Sequence, residues 1–114
     1  MPSNWINGVW TGVGYQQEGV TWTIRLTADE NNNEFRIQYP SLGGSDGIWK
    51  LLEKDSSADR YTFHEVNTQP GGITRDGGKI ILTKVSDNLM SYSYFRPPQF
   101  DTVTSWSTLK RELN

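Results

Sequence analysis

Cysteine is absent from this 114-residue chain, which removes disulfides, thiolate nucleophiles and cysteine-ligated zinc together. Histidine is nearly absent, with His64 standing alone, so no cluster of imidazoles can hold a metal. Long apolar runs are missing too. No stretch approaches the roughly 20 apolar residues of a membrane-spanning helix, so no membrane span is expected. The opening Met1-Pro-Ser-Asn-Trp5 has no basic stretch followed by an apolar one, so no signal peptide is read and a cytoplasmic location is expected. An excess of one charge is also lacking. Eleven Lys and Arg face thirteen Asp and Glu, for a net charge of −2, and no basic run occurs. A nucleic-acid groove needs clustered cations to neutralise phosphates, so no nucleic-acid partner is expected.

Aromatic residues are well represented: five Trp, five Tyr and four Phe. Each buries on the order of 150–250 Å², so a chain with modest aliphatic content can still build a core. The length fits one domain over 1–114 and is too short for two independent cores.

Turn-forming residues recur about every ten positions, separating short segments in which apolar and polar side chains alternate. This pattern marks an all-β sandwich or barrel. Eight strands are read, at Trp5–Tyr15, Val20–Ala28, Glu34–Pro40, Gly47–Lys54, Arg60–Val66, Lys79–Val85, Leu89–Arg96 and Val103–Arg111. Between them, Gly, Asn, Asp and Pro supply turn geometry. A weak helical period over Thr108–Leu113 reads as a frayed tail. Eight strands with short connections predict an antiparallel up-and-down barrel, because closure removes both exposed sheet edges. A β-sandwich is the alternative.

Enzyme motifs are weak. His64 alternates with Thr62 and Val66, opposite the aromatic residues of its strand, and reads as an outward-facing histidine rather than a triad member. Asp29-Glu-Asn-Asn-Asn-Glu34 imitates the start of a calcium loop, but Glu34 occupies the glycine position and Pro40 the position of the distal Glu. It reads as a hydrated hairpin turn. Gly71–Lys79 invites a phosphate-loop reading, yet Ile73 and Ile80 stand where that motif needs Gly and Ser or Thr. It reads as a flexible loop with solvated charges, the alternative being that Arg75 and Asp76 touch a ligand at the barrel mouth. No catalytic residues, metal or cofactor are assigned, and the chain is read as a non-enzyme.

Glu65 shares parity with Tyr61 and Phe63 and should point inward with them. A buried carboxylate is costly unless it is paired or hydrogen-bonded, and Arg111, with the parity of Leu109, is a candidate partner. The binding reading follows: a small or amphipathic ligand in the interior or mouth, lined by Trp22, Phe35, Tyr39, Tyr61, Phe63, Glu65 and Arg111. The rival reading is a protein or carbohydrate interaction domain with a surface aromatic patch at Trp49, Trp106, Tyr92 and Tyr94.

Two resemblances bear on these readings. Asn7-Gly-Val-Trp10-Thr-Gly resembles the first-strand Gly-x-Trp of calycins, the lipocalin and avidin type of barrel. The resemblance implies that Trp10 plugs one end and that Arg111 or Lys110 packs on its face. Tyr39-Pro-Ser-Leu-Gly43, Gly47-Ile-Trp-Lys-Leu-Leu52, Phe63-His-Glu65, Arg75-Asp-Gly-Gly-Lys-Ile-Ile-Leu82 and Leu89-Met-Ser-Tyr92 together resemble a small β domain of cyanobacteria and actinomycetes. That domain occurs alone or appended to serine/threonine kinases and other signalling proteins. The likeness runs from Trp10 to Arg111 and implies a sensory or binding module. Typical members carry two cysteines near the positions of Gly44 and Thr74. Their absence here forgoes roughly 3–4 kcal/mol of chain-entropy stabilisation, if such a pair forms a disulfide in those members.

Overall fold

The computed structural model describes residues 5–42, 47–67, 78–96 and 102–112. Eight strands are present: β1 (Gly8–Gln16), β2 (Thr21–Asp29), β3 (Glu34–Gln38), β4 (Gly47–Asp55), β5 (Arg60–Asn67), β6 (Lys79–Ser86), β7 (Leu89–Phe95) and β8 (Val103–Arg111). Each pairs antiparallel with the next, and β8 returns to β1, closing an up-and-down barrel. Closure is fixed by register. Trp10 lies opposite Arg111, and Tyr15 opposite Trp106. The sandwich alternative is thereby excluded, since no sheet edge is left between β1 and β8.

Strand boundaries depart from the sequence pattern where a local interaction outweighs alternation. Residues 5–7 precede β1 as a turn instead of extending it. Gly8 adopts φ +128°, and a side chain there would press on the Arg111 guanidinium, so the chain bends under the barrel. Pro40 ends β3, and Pro40–Leu42 forms a 3-10 turn because proline donates no ladder hydrogen bond. The helical period after Thr108 yields to pairing: β8 continues as strand to Arg111, and tertiary context overrides local propensity there.

The even positions of β1 and β2 and the odd positions of β3 and β5 face inward. Trp10, Ile24, Leu26, Phe35, Ile37, Tyr61, Phe63, Ile80, Leu82 and Leu109 are all buried. Their rings interlock: Phe35 lies 4.8 Å from Phe63, and Tyr61 stacks near-parallel on Phe63 at 6.0 Å. Gly14 leaves room for the Trp22 indole; a Cβ there would sit 2.6 Å from the ring.

One end of the barrel is sealed. The Trp10 indole donates to the Ile6 carbonyl at 2.8 Å, and the Arg111 guanidinium lies 4.3 Å above the Trp10 ring. That guanidinium also donates to the carbonyls of Trp5, Asn7 and Asp87. Lys110, the other cation considered for this position, is exposed. Trp10→Ala should therefore cost about 3–5 kcal/mol, the range for deleting a large core aromatic. Gly8→Ala should also destabilise, through strain at positive φ and the clash with Arg111. Urea denaturation followed by far-UV circular dichroism measures both, and unchanged midpoints would contradict this seal.

Candidate functional site

Strand direction sorts the interior into two ends. β1, β3, β5 and β7 leave the sealed end, so Tyr39 past β3 and Glu65 late in β5 approach the opposite one, with Tyr92 midway along β7. Trp22, at the start of β2, and Trp49, at the start of β4, join them there. Residues 43–46, 68–77 and 97–101 lie outside the described residues. Arg75, Asp76, Gly44 and Thr74 fall within them.

Glu65 points inward and is 2% exposed. Its backbone N–H donates to the Gly78 carbonyl at 2.8 Å, pinning the strand beside β6. One carboxylate oxygen, Oε2, accepts from the Tyr39 hydroxyl and, at 2.9 Å, from the Trp49 indole N–H. Trp49 and Glu65 are cross-strand partners, so sheet register alone brings donor and acceptor to one face. The Trp49 ring stacks on Tyr92 at 5.9 Å, and the Tyr92 phenol lies beside Tyr39 and Glu65. Buried Glu65, Tyr39 and Trp49, with Tyr92 packed on them, thus form a polar cluster in a largely apolar interior, where Ser105 and Ser107 of β8 are also buried. Such a cluster is tolerated because its donors meet acceptors.

Electrostatics fixes the protonation of the two phenols. Burial, then the neighbouring Tyr92 and the Glu65 carboxylate, push Tyr39 well above the ordinary tyrosine range. Burial and the same carboxylate raise Tyr92 likewise. Charging either phenol would place a second anion beside Glu65 out of reach of water. Both therefore stay neutral, and Tyr39 donates its O–H to Glu65.

Of the seven residues proposed for a ligand, Trp22, Tyr39 and Glu65 gather at this end. Phe35 and Phe63 lie deeper, packed on each other. Tyr61 belongs to the sealed end, where its hydroxyl donates to Glu30 at 2.6 Å and its ring meets Trp5 at 5.4 Å. Arg111 is at that end too and does not pair with Glu65. Inward parity is necessary for such a pair but not sufficient, because the two side chains sit at opposite ends of antiparallel strands.

The surface patch dissolves. Trp49 and Tyr92 are buried, and Tyr94 is half-buried against the core; Trp106 alone of the four is exposed. Trp49 and Tyr92 are the residues that sequence reasoning assigned to the wrong face. A signal for them existed in Lys50 beside Trp49 and in Ser91 and Ser93 around Tyr92, polar neighbours that mark the outer face.

The other candidates have local roles. His64 is half-buried, opposite Lys50 and Lys79 in the ladder, with the parity opposite to inward Phe63 and Glu65. In the acidic segment, Asp29 caps the 3-10 turn Glu30–Asn32 by accepting from Asn32. Glu30 turns back to Tyr61 and to Lys54 at 2.8 Å. Beside them a cleft of about 20 Å³ lies among Trp5, Lys54, Asp55, Ser56, Asp59, Arg60 and Tyr61, room for about one water.

No protein-family model matches this chain, and comparison with curated proteins finds no match.

Two outcomes follow from the cluster. Glu65→Ala strands two buried donors, Tyr39 and Trp49, at roughly 1–3 kcal/mol each, so a loss of about 2–6 kcal/mol is expected in urea denaturation. In alkali the sign is also set. A phenol whose folded pKa is raised contributes stability that is complete below the unfolded value near 10 and is lost as pH climbs above it. The phenolate absorbance of Tyr39 and Tyr92 should thus appear only as the fold is lost. Comparing the titration at 295 nm of wild type with that of Tyr39→Phe and Tyr92→Phe checks this; their ionisation in a still-folded barrel would contradict it.

Proposed function

We propose that this protein is a non-enzymatic binding barrel that takes a small amphipathic ligand at the end where Glu65 lies. The observation that supports this reading is the asymmetry of the interior. One end is closed by Trp10, Ile6 and Arg111, while the side chains nearest the other end combine a carboxylate, two phenols and two indoles. An eight-stranded barrel has width for packed side chains or for one small ligand. Apolar walls with a few convergent polar groups are the usual composition of a ligand site.

The chemistry of the floor selects the ligand. Glu65 is an acceptor, so the best fit is an apolar body carrying an N–H, O–H or cationic head. Aromatic faces at Trp22 and Trp49 suit a flat body. Trp22, 9% exposed, is the most accessible buried aromatic of the interior. The Gly-x-Trp and Arg111 pairing of the calycin type supports the same reading. The likeness to a bacterial signalling-associated domain extends it to a cytoplasmic sensory module.

N-phenyl-1-naphthylamine, an uncharged aromatic amine with one N–H donor, is a direct probe. Its emission should rise on titration with the protein, and Trp22→Ala or Tyr39→Phe should weaken binding at least fivefold while the fold persists. Native mass spectrometry of protein purified without denaturation should show a retained small mass. An unretained, unresponsive barrel, or binding that both variants leave unchanged, would overturn the reading.

A further inference from the structure

The outer wall carries a second feature, independent of the interior. Tyr15 and Trp106 are 47% and 44% exposed and sit directly opposite each other across the β1–β8 seam. The row continues without a charge: Thr21 pairs with Tyr15, Ser93 with Trp106, and Ile81 with Ser93. The adjacent row is uncharged as well, with Thr23 opposite Val13 on β2 and β1, and Thr108 opposite Ser91 and Ser91 opposite Thr83 on the other side. Two successive rows over five strands thus hold only aromatic, aliphatic and hydroxyl side chains, in a chain whose 11 basic and 13 acidic residues make 24 charges.

We propose that this face binds a short uncharged oligosaccharide, with Tyr15 and Trp106 as the stacking platform. The absence of charge across both rows matches a neutral, polyhydroxylated ligand and offers nothing to an anionic lipid or to nucleic acid. Aromatic faces stack on the C–H face of a pyranose ring, and the neighbouring Thr and Ser hydroxyls both donate and accept hydrogen bonds. Directly opposed residues stand about 5 Å apart, close to the length of one hexose unit, so adjacent rings would meet consecutive sugars. Four inter-strand gaps extend the row to about 19 Å. Size argues against a protein occupant. A stable interface needs about 800 Å² per partner, and the exposed apolar side chains of these two rows reduce to Val13, Tyr15 and Trp106 on a convex wall.

Native gel electrophoresis through hydroxyethylcellulose, laminarin or soluble starch tests the proposal, followed by calorimetry with the matching hexasaccharide. Wild type should be retarded in at least one polymer. Trp106→Ala and Tyr15→Ala should each weaken binding at least tenfold, with thermal midpoints close to wild type because both side chains are exposed. Tyr39→Phe, which alters the interior cluster, should bind the glycan as wild type does, and this separates the outer face from the interior site. Free migration in all three polymers, or retardation that both surface variants keep, overturns the proposal. A concentration-dependent dimer in sedimentation velocity that Trp106→Ala dissolves would also overturn it, assigning the face to a second copy of the chain.

Discussion

Arg111 is the residue on which the architecture turns. Its guanidinium covers Trp10 and reaches three carbonyls, two of them in the segment before β1 and one in the turn after β6. The last strand is thereby fastened to the first, the chain ahead of β1 is drawn across the barrel end, and the Trp10 indole is left pointing at Ile6. A planar guanidinium can stack and donate several bonds at once, which an ammonium cannot do. Sealing one end has a functional corollary: any ligand entering the interior must come from the end where Glu65 lies.

The two halves of the interior are stabilised by different physics. Near the seal, aliphatic and aromatic packing dominates, with directionality from the Trp10 and Arg111 bonds. Toward the other end, a buried carboxylate is held by an indole and a phenol, and its register partner Trp49 is supplied by the neighbouring strand. An interior acid is tolerated only when it is hydrogen-bonded, and here Oε2 accepts from Tyr39 and Trp49, which are themselves buried.

Much of the fold was legible because barrel strands announce themselves by alternation and punctuation. All eight strands were placed, and β8 matched at both bounds, since each has a Gly, Asn, Asp or Pro signal at its ends. The inward direction of Glu65 followed from parity with Tyr61 and Phe63, whereas a cation on Trp10 followed from the calycin resemblance, which left Arg111 and Lys110 open until the structure placed Arg111 there. What parity cannot convey is height along the barrel axis. Glu65 and Arg111 both face inward yet lie at opposite ends, and Tyr61 is spent at the seal. Trp49 and Tyr92 were misassigned because large aromatics satisfy either face on composition alone, and only their polar neighbours discriminate.

Hydrogen exchange of the indole N–H groups, followed by nitrogen-edited NMR, tests the two-ended account most directly. The Trp10 and Trp49 indoles, each bonded and buried, should exchange only through global unfolding, while the exposed Trp106 indole should exchange within the dead time. Rapid exchange at Trp49 with Trp10 still protected would contradict the buried carboxylate cluster. Rapid exchange at Trp10 would contradict the seal from which the rest follows.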